Sequence, residues 1–537
     1  MSRIWILLSL AAVAAAGILT VRDMGRADPV NVVVITVESW RADTISERRM
    51  PALLEAARQG VSFDRHRAVS AWTAPNVIAV LTGLSPFDQG VHARGHSVPE
   101  EMQTFTERLS DTGWHVGGVQ AFMLIDLFKN LGFEFEPGTD PLTWIASHAR
   151  RADPFFFWFH YLDSHLPYDP RSADAIDAAF PTGDPAERAR RAELRALPAI
   201  PVGQVDFQDK DRPWIEALYR GGFEDFDEWF ARFWAFFEAA GLDQNTILIV
   251  TADHGEELLE RGNVGHASTT RRGHLHEEIV RVPLFVWAPE HLLPVAPGTR
   301  VDAMTDHLMI VPTLAAMLGL ETRGDWERAG LFSEPRRTVW AGVTSEAGFS
   351  EPEPDRVSRY FGAILDGDTK VQIAIEEASP PGIEVWDLAD DPGEREPLSA
   401  VPDRARTLAD ELALRLAAMR VPVRVADTRP VVSGAPFPNW VHPNASRAIR
   451  YADIDGRAYL EWTGEANGAY VVEYSAGSGL LALSGTFDVV GTRHDFGSVS
   501  EGYWQTWVVP YDRIRFRVRE AADPDAGSDG LELEVLP

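Results

Sequence analysis

The sequence predicts an α/β fold, a mostly parallel sheet flanked by helices, followed by a small separate β-sandwich. Three observations carry this. Continuous β-branched or aromatic runs recur at Asn31–Val37 (NVVVITV), Pro154–Tyr161 (PFFFWFHY) and Thr246–Thr251 (TILIVT), the signature of strands covered on both faces. Helical patterns lie between them, as at Phe223, Phe226, Phe230, Phe233 and Phe237, whose spacing of three and four reads as a core-facing stripe rather than a ligand box. After about residue 425 the texture turns to short alternating segments rich in Tyr, Trp and Val: Ala458–Thr463, Ala469–Tyr474, Trp504–Val509 and Arg513–Arg519. Turn signals at Gly464–Gly468 and Gly477–Gly479 separate them.

The expected organisation is residues 1–28 as a signal peptide or N-terminal anchor, 29–425 as the catalytic domain and 426–537 as the β-sandwich. Ile4–Val21 is an 18-residue, mostly apolar run between Arg3 and Arg22, at the short end of what spans a bilayer. It implies export to the periplasm or beyond, with membrane anchoring by residues 4–21 if the segment is retained. Pro430–Pro443 reads as the entry to the sandwich and Asp523–Gly530 as a late loop. Tyr503, Trp504 and Trp507 read as core aromatics before they read as sugar platforms.

Composition removes several chemistries. The 537 residues carry 50 basic and 80 acidic side chains, a formal charge of −30, which repels nucleic acid. Cysteine is absent, so there is no disulfide, no thiolate nucleophile and no Cys-ligated metal.

Glu38 follows the first strand directly, and Asp253 with His254 follows Thr246–Thr251. Open α/β sheets place their sites at such carboxyl ends, and two acids with an adjacent His suggest a shared cation. Thr73, in Ala71-Trp72-Thr73-Ala74-Pro75-Asn76-Val77, sits at or just before a helix whose first turn suits Pro75. The plain reading of that Thr is an N-cap. The functional one is a hydroxyl that, against a divalent cation, loses its proton and becomes a nucleophile.

At these residues the chain resembles the sulfatase branch of the alkaline phosphatase superfamily. Thr73-Ala-Pro-Asn-Val-Ile-Ala-Val-Leu-Thr82-Gly83 is similar to its nucleophile signature, in which Cys or Ser precedes x-Pro-Ser-Arg and then Thr-Gly. Val34–Asp43 (VITVESWRAD) and Thr251–Glu257 (TADHGEE) resemble the two metal segments, and Phe157–Tyr168 (FWFHYLDSHLPY) the HY-x-D-x-H-x-PY segment. Gly265-His266, Glu277–Leu284 and Glu384–Pro397 fall in family order, so the resemblance spans roughly residues 30 to 400.

The departures carry more information. Sulfatases convert Cys or Ser to formylglycine and hold it with an Arg four positions on; here those positions are Thr73 and Val77. Threonine cannot yield the aldehyde, which excludes that route. Glu38 stands where sulfatases carry Asp, and Glu with Thr, Asp and His is the set of lipoteichoic acid synthases and phosphoethanolamine transferases. The resemblance therefore implies one divalent cation on Glu38, Thr73, Asp253 and His254. Three oxygens and one imidazole favour Mn²⁺ or Zn²⁺ and admit Mg²⁺ or Ca²⁺. It also implies that His165 and His266 face the substrate as charge-balancing or proton-donating groups. Arg41 and Asp43 orient the first metal segment, with Arg41 within reach of an anionic substrate oxygen. His160 reads as structural, and His274 and His276 come after a stretch, Ala267–Gly273, that does not align with the family pattern.

The reaction this implies is a two-step transfer, with Thr73 attacking phosphorus and water or an acceptor alcohol resolving the intermediate. The expected substrate is a phosphoester of lipid or glycan type. The competing readings are a sulfuric-ester or phosphonate hydrolase using Thr73 directly, and a catalytically silent, lipid-binding regulator of the envelope.

Overall fold

The computed structural model describes residues 29–537 apart from 93–95, 101, 121–129, 136–139, 152, 197–204, 268, 270–272, 322–328, 334–338, 346–358, 377–378, 420–430, 437–448, 455–456, 477–482, 499–512, 528–530 and 537. The expected export segment and Tyr503, Trp504 and Trp507 lie outside the described residues.

Ten strands come first: β1 (Asn31–Val37), β2 (Val61–Arg67), β3 (His115–Gln120), β4 (Glu134–Phe135), β5 (Phe155–Tyr161), β6 (Thr246–Ala252), β7 (Glu257–Leu258), β8 (Val264–Gly265), β9 (Leu284–Trp287) and β10 (Arg300–Asp306). Eight of them form one sheet in the order β10-β2-β9-β6-β1-β5-β3-β4. It is parallel except at β9, which runs against both β2 and β6. Val37 pairs with Tyr161 on one side and Ala252 on the other. The carboxyl ends of β1, β5 and β6 are thus level, and the loops after them start side by side.

The β1 run is buried throughout because alternate side chains enter two cores. Val32 and Val34 join Phe156, Trp158, Ile247 and Ile249 under the helices α1 (Thr73–Thr82) and Ile310–Met317. Val33, Ile35 and Val37 join Phe155, Phe157, Leu248 and Val250 under Pro51–Ala57 and the 28-residue α2 (Arg212–Ala239). The stripe Phe223, Phe226, Phe230, Phe233 and Phe237 is the buried face of α2, as its spacing predicts. Each such ring contributes about 1.5–3 kcal/mol by leaving water, which ties the helix to the strands that carry the site.

A second sheet, β11 (Val339–Ser345), β12 (Arg359–Asp366), β13 (Thr369–Glu376) and β14 (Ser379–Asp387), is antiparallel in that order. It packs Ile364, Val371 and Val385 on α3 (Asp403–Ala417) through Leu408 and Leu412.

From Val431 the described chain forms two antiparallel sheets of its own. One runs Val431–Pro436, Leu531–Leu536, Arg513–Glu520, Ala469–Ala476 and Leu483–Val490, and the other Ile449–Ile454, Arg457–Trp462 and Arg493–Ser498. They meet through Trp462 on Tyr470 and Phe496 on Phe516, with ring centroids 5.7 and 5.6 Å apart. Two expectations are corrected. Asp523–Gly527 is a strand pairing with Arg519 and Glu520 rather than a loop, because backbone hydrogen bonds at a sheet edge ask nothing of its acidic side chains. Val431–Pro436, taken as part of an entry segment, is likewise a strand, paired with Leu531–Leu536; its Pro436 sits at the end, where a missing N–H costs least.

Candidate metal-centred active site

Thr73 is the first residue of α1, after an extended Trp72. Its hydroxyl lies 3.3 Å from Glu38 Oε2 and 3.4 Å from His254 Nε2 and the helix has no side-chain cap, so the plain N-cap reading does not hold. Thr73 is partly exposed, whereas Glu38, Asp253 and His254 are fully buried. Asn76 holds the turn in front of it. Its Oδ1 accepts Val69 N and Ser70 N, each at 2.9 Å, and its Nδ2 donates to Ser70 O at 2.8 Å and Trp72 O at 2.9 Å. Both lone pairs of the carbonyl and both N–H groups of that amide are used within the turn.

The β6 loop brings the other ligand candidates. Asp253 Oδ1 accepts Ser39 N at 2.9 Å and His254 N at 2.8 Å, which locks the carboxylate across the ends of β1 and β6. His254 Nδ1 donates to the Gly255 carbonyl at 2.7 Å. A carbonyl only accepts, so the lone pair is on Nε2 when the ring is neutral. That nitrogen is 3.2 Å from Asp253 Oδ2 and 3.3 Å from Glu38 Oε1.

These residues fit a divalent cation. Asp253 Oδ2 is buried without a hydrogen-bond partner, a costly state that a cation relieves. The spacings of 3.2 to 3.4 Å between His254 Nε2 and its three oxygens match the edges, roughly 3.3 Å, of a tetrahedron with metal–ligand bonds of about 2.0 Å. Electrostatics agree. Burial alone raises the Glu38 carboxyl, but hydrogen bonds to His160 and His254 and the nearby His165 hold it well below its ordinary value. Burial lowers His254, and the Asp253 and Glu38 carboxylates drive it far above its ordinary value instead. The site demands positive charge, and in the bare protein the imidazolium provides it.

His266 and His165 adjoin this centre. The His266 ring stands 4.2 Å from that of His254 and 5.3 Å, edge-on, from that of His165. His266 Nδ1 meets Glu256 Oε1 at 2.8 Å, and Tyr168 Oη donates to Glu256 Oε2 at 2.8 Å. Burial pushes the Glu256 carboxyl up to about 8. Desolvation lowers the His165 imidazole, which favours its neutral form. Nitrogens of His165 and His266 and an oxygen of Glu38 lie within 4.8 Å of one another.

Arg41 is placed differently. Its guanidinium forks onto Asp43 at 3.0 and 2.7 Å and reaches Glu260 Oε1 at 2.7 Å and Glu256 O at 3.0 Å. It lines a cleft of about 1760 Å³ with Asp43, Glu260 and Arg261, and none of Glu38, Thr73, Asp253 and His254 is in the walls of that cleft.

Four contributors escaped the sequence reading: Ser39, Asn76, Glu256 and Tyr168. Ser39 adopts a left-handed φ of 54°, which is unusual for a non-glycine residue. The turn aims its Oγ at Glu38 Oε1, 2.7 Å away, and its N–H at Asp253. Adjacency to Glu38 was the only signal available.

Comparison with known proteins agrees with this architecture. Residues 139–320, which include His165, Asp253, His254 and His266, match the family model described as Sulfatase. The inner membrane protein YejM of Salmonella typhimurium is 26% identical over 332 residues, 61% of this chain and 48% of that protein. An arylsulfatase of Clostridium perfringens is 25% identical over 239 residues, 40% of this chain and 47% of the relative. The match therefore spans about half the length of these curated relatives. The crystal structure of the phosphonate monoester hydrolase of Agrobacterium radiobacter superposes with a TM-score of 0.56 at 20% identity, covering 72% of this chain and 95% of that one. Sheet order and family match agree: residues 139–320 match the Sulfatase family model, and the fold of the chain is that of the phosphonate monoester hydrolase structure.

Proposed function

We propose that the protein is an exported, metal-dependent hydrolase or transferase of phosphoesters that uses Thr73 as its nucleophile. The observation that carries this is the Thr73 hydroxyl, partly exposed at a helix N-terminus and 3.3 and 3.4 Å from Glu38 and His254.

A divalent cation would be held by Glu38, Thr73, Asp253 and His254 and would supply the positive charge that eases loss of the Thr73 hydroxyl proton at neutral pH. The chain's own residues do the rest. Glu38 Oε2 accepts from the Thr73 hydroxyl and orients it. The Thr73 Oγ–P bond forms as the bond from phosphorus to the leaving oxygen breaks, and first-turn N–H groups of α1 face the charge that develops. His165 and His266 stand where one of them hands a proton to the leaving alkoxide, and Glu256 holds the His266 ring in place. Water or an acceptor alcohol then attacks phosphorus and frees Thr73.

The substrate class is a lipid or glycan phosphoester of the cell envelope. Ile4–Val21 supports export, and the YejM relative is by name an inner membrane protein. Among the described residues no helix is long and apolar enough to cross a membrane. The phosphonate monoester hydrolase neighbour favours phosphonate hydrolysis by the same Thr73 as the second reading.

The test is a panel of p-nitrophenyl phosphodiester, phosphomonoester, phosphonate and sulfate, run with metal analysis on the wild type, Thr73→Ala and Asp253→Ala. The expected result is phosphodiester preference, abolished by chelation and by either substitution. A clear preference for sulfate, or turnover indifferent to Thr73, overturns the proposal.

A further inference from the structure

A second group of potential ligands lies away from Glu38, where the chain between β8 and β9 meets the second sheet. Nitrogens of His274 and His276 and a carboxylate oxygen of Glu278 lie within 4.8 Å of one another. We propose that His274, His276 and Glu278 form a second site for a transition-metal cation of the Zn²⁺ type, distinct from the Thr73 centre.

Four observations converge. First, His274 has the orientation a metal ligand needs. Its Nε2 donates to Glu257 Oε2 at 3.0 Å, so Nδ1 carries the lone pair and points at His276. A carboxylate behind the far nitrogen of a ligating imidazole fixes the tautomer and raises its basicity.

Second, His276 Nδ1 faces His274 Nδ1 at 3.1 Å. In the bare protein the His276 Nδ1 proton occupies the space between the two nitrogens; loading the site requires the tautomer with that proton on Nε2, which frees the Nδ1 lone pair.

Third, the Glu278 side chain is 6% exposed, and its Oε1 has no hydrogen-bond partner. Arg261 Nε is 2.9 Å away but out of line for a hydrogen bond. Arg261 braces this carboxylate, its Nη2 donating to Glu278 Oε2 at 3.4 Å, and donates as well to Glu394 O at 3.0 Å and Gly393 O at 3.2 Å. Lys370, the other nearby cation, pairs with Glu277 at 3.2 Å and Glu394 at 2.9 Å. Lys370 is thus compensated by its own carboxylates, while Arg261 pairs with Glu278 and leaves Glu278 Oε1 without a hydrogen bond.

Fourth, the scaffold is rigid. Leu275 N donates to Gln372 Oε1 at 3.0 Å, and the His276 ring stands edge-on to Trp386 at 5.1 Å. Two imidazoles and one carboxylate with room for a further ligand is a Zn²⁺-type set, too rich in nitrogen for Mg²⁺ or Ca²⁺.

The two centres share one loop. Asp253 and His254 serve the first and Glu257 backs the second, while Gly255 N and Glu256 N bond to Ile279 O and Glu278 O at 2.6 and 3.1 Å. A cation at the second centre would pin the segment that presents the first.

The full chain is stripped of metal, dialysed to equilibrium against Zn²⁺ and analysed for bound zinc. Two equivalents are expected in the wild type and one each in His276→Gln, Glu278→Gln and Asp253→Ala. Co²⁺ titration of the wild type should likewise show two successive absorption steps, a readout that needs no variant to fold. A wild type that binds one equivalent, retained in His276→Gln and Glu278→Gln, overturns the proposal. So does a second equivalent that survives in both His276→Gln and Glu278→Gln, since zinc is then held adventitiously on the acidic surface. Because the first equivalent is read through Asp253→Ala, failure here is distinguishable from failure of the Thr73 centre.

Discussion

His160 donates its Nε2–H to Glu38 Oε2 at 3.0 Å, while its Nδ1 faces the Thr36 hydroxyl at 2.8 Å. The Trp158 indole donates to that same hydroxyl at 2.9 Å, so Thr36 gives its own hydrogen to Nδ1 and the tautomer is set. A relay from Trp158 through Thr36 and His160 thus aims the Glu38 carboxylate. His160→Ala should weaken divalent-cation affinity about 10–100-fold, the usual cost of losing such a partner. Chelator competition measures it, and His160→Gln should recover part of the loss.

Thr73→Ala should lower turnover on the order of 10³-fold or more, as loss of a nucleophile does, while leaving the melting temperature close to that of the wild type, since the hydroxyl caps no helix. Thr73→Ser should retain measurable turnover. Steady-state kinetics beside a thermal melt separates the two effects, and an active Thr73→Ala protein contradicts the assignment.

Gly255 has no room for a side chain: a Cβ there would lie 2.1 Å from Glu278 O, a backbone atom. Gly255→Ala should destabilise the protein by about 1–3 kcal/mol through overpacking and displace Asp253 and His254. Urea unfolding should show a lowered midpoint, and zinc analysis a loss of metal at matched folded fraction.

His66 and His307 are buried with ring centroids 5.1 Å apart. Burial pushes His307 down to about 3 and His66 well below its ordinary value. Both folded-state values lie below the unfolded value of about 6.5, so the unfolded chain binds more protons in acid. Their stabilisation is complete above about pH 6.5 and falls on acidification by up to about 1.4 kcal/mol per pH unit for each ring. Urea midpoints at pH 7.5 and pH 5 should diverge accordingly, and His307→Asn should flatten the dependence.

What the sequence made legible follows from where information is local. Glu38 and Asp253-His254 sit directly after apolar β-branched runs, so strand ends and ligand candidates could be read together. Thr73 was legible through Pro75 and the Thr82-Gly83 that ends the helix. His160 was read as structural, and it does brace, but what it braces is Glu38. That pairing depends on β1 lying beside β5, which no local pattern states. Glu256 had no reading of its own beyond its place in the TADHGEE segment; it is buried because Tyr168 and His266, distant in the chain, close on it. The acidic stretch Asp523–Gly527 was misread because its pairing at a sheet edge leaves no hydrophobic alternation to detect.

The level ends of β1, β5 and β6 set a limit on how this centre fails. Glu38, His160 and Asp253 are spaced by the pitch between neighbouring strands, about 4.8 Å, and each follows or ends a strand buried in the middle of the sheet. No hinge separates them. Partial loosening of the catalytic geometry has no independent coordinate, so heating should extinguish activity at the same temperature at which the central sheet melts.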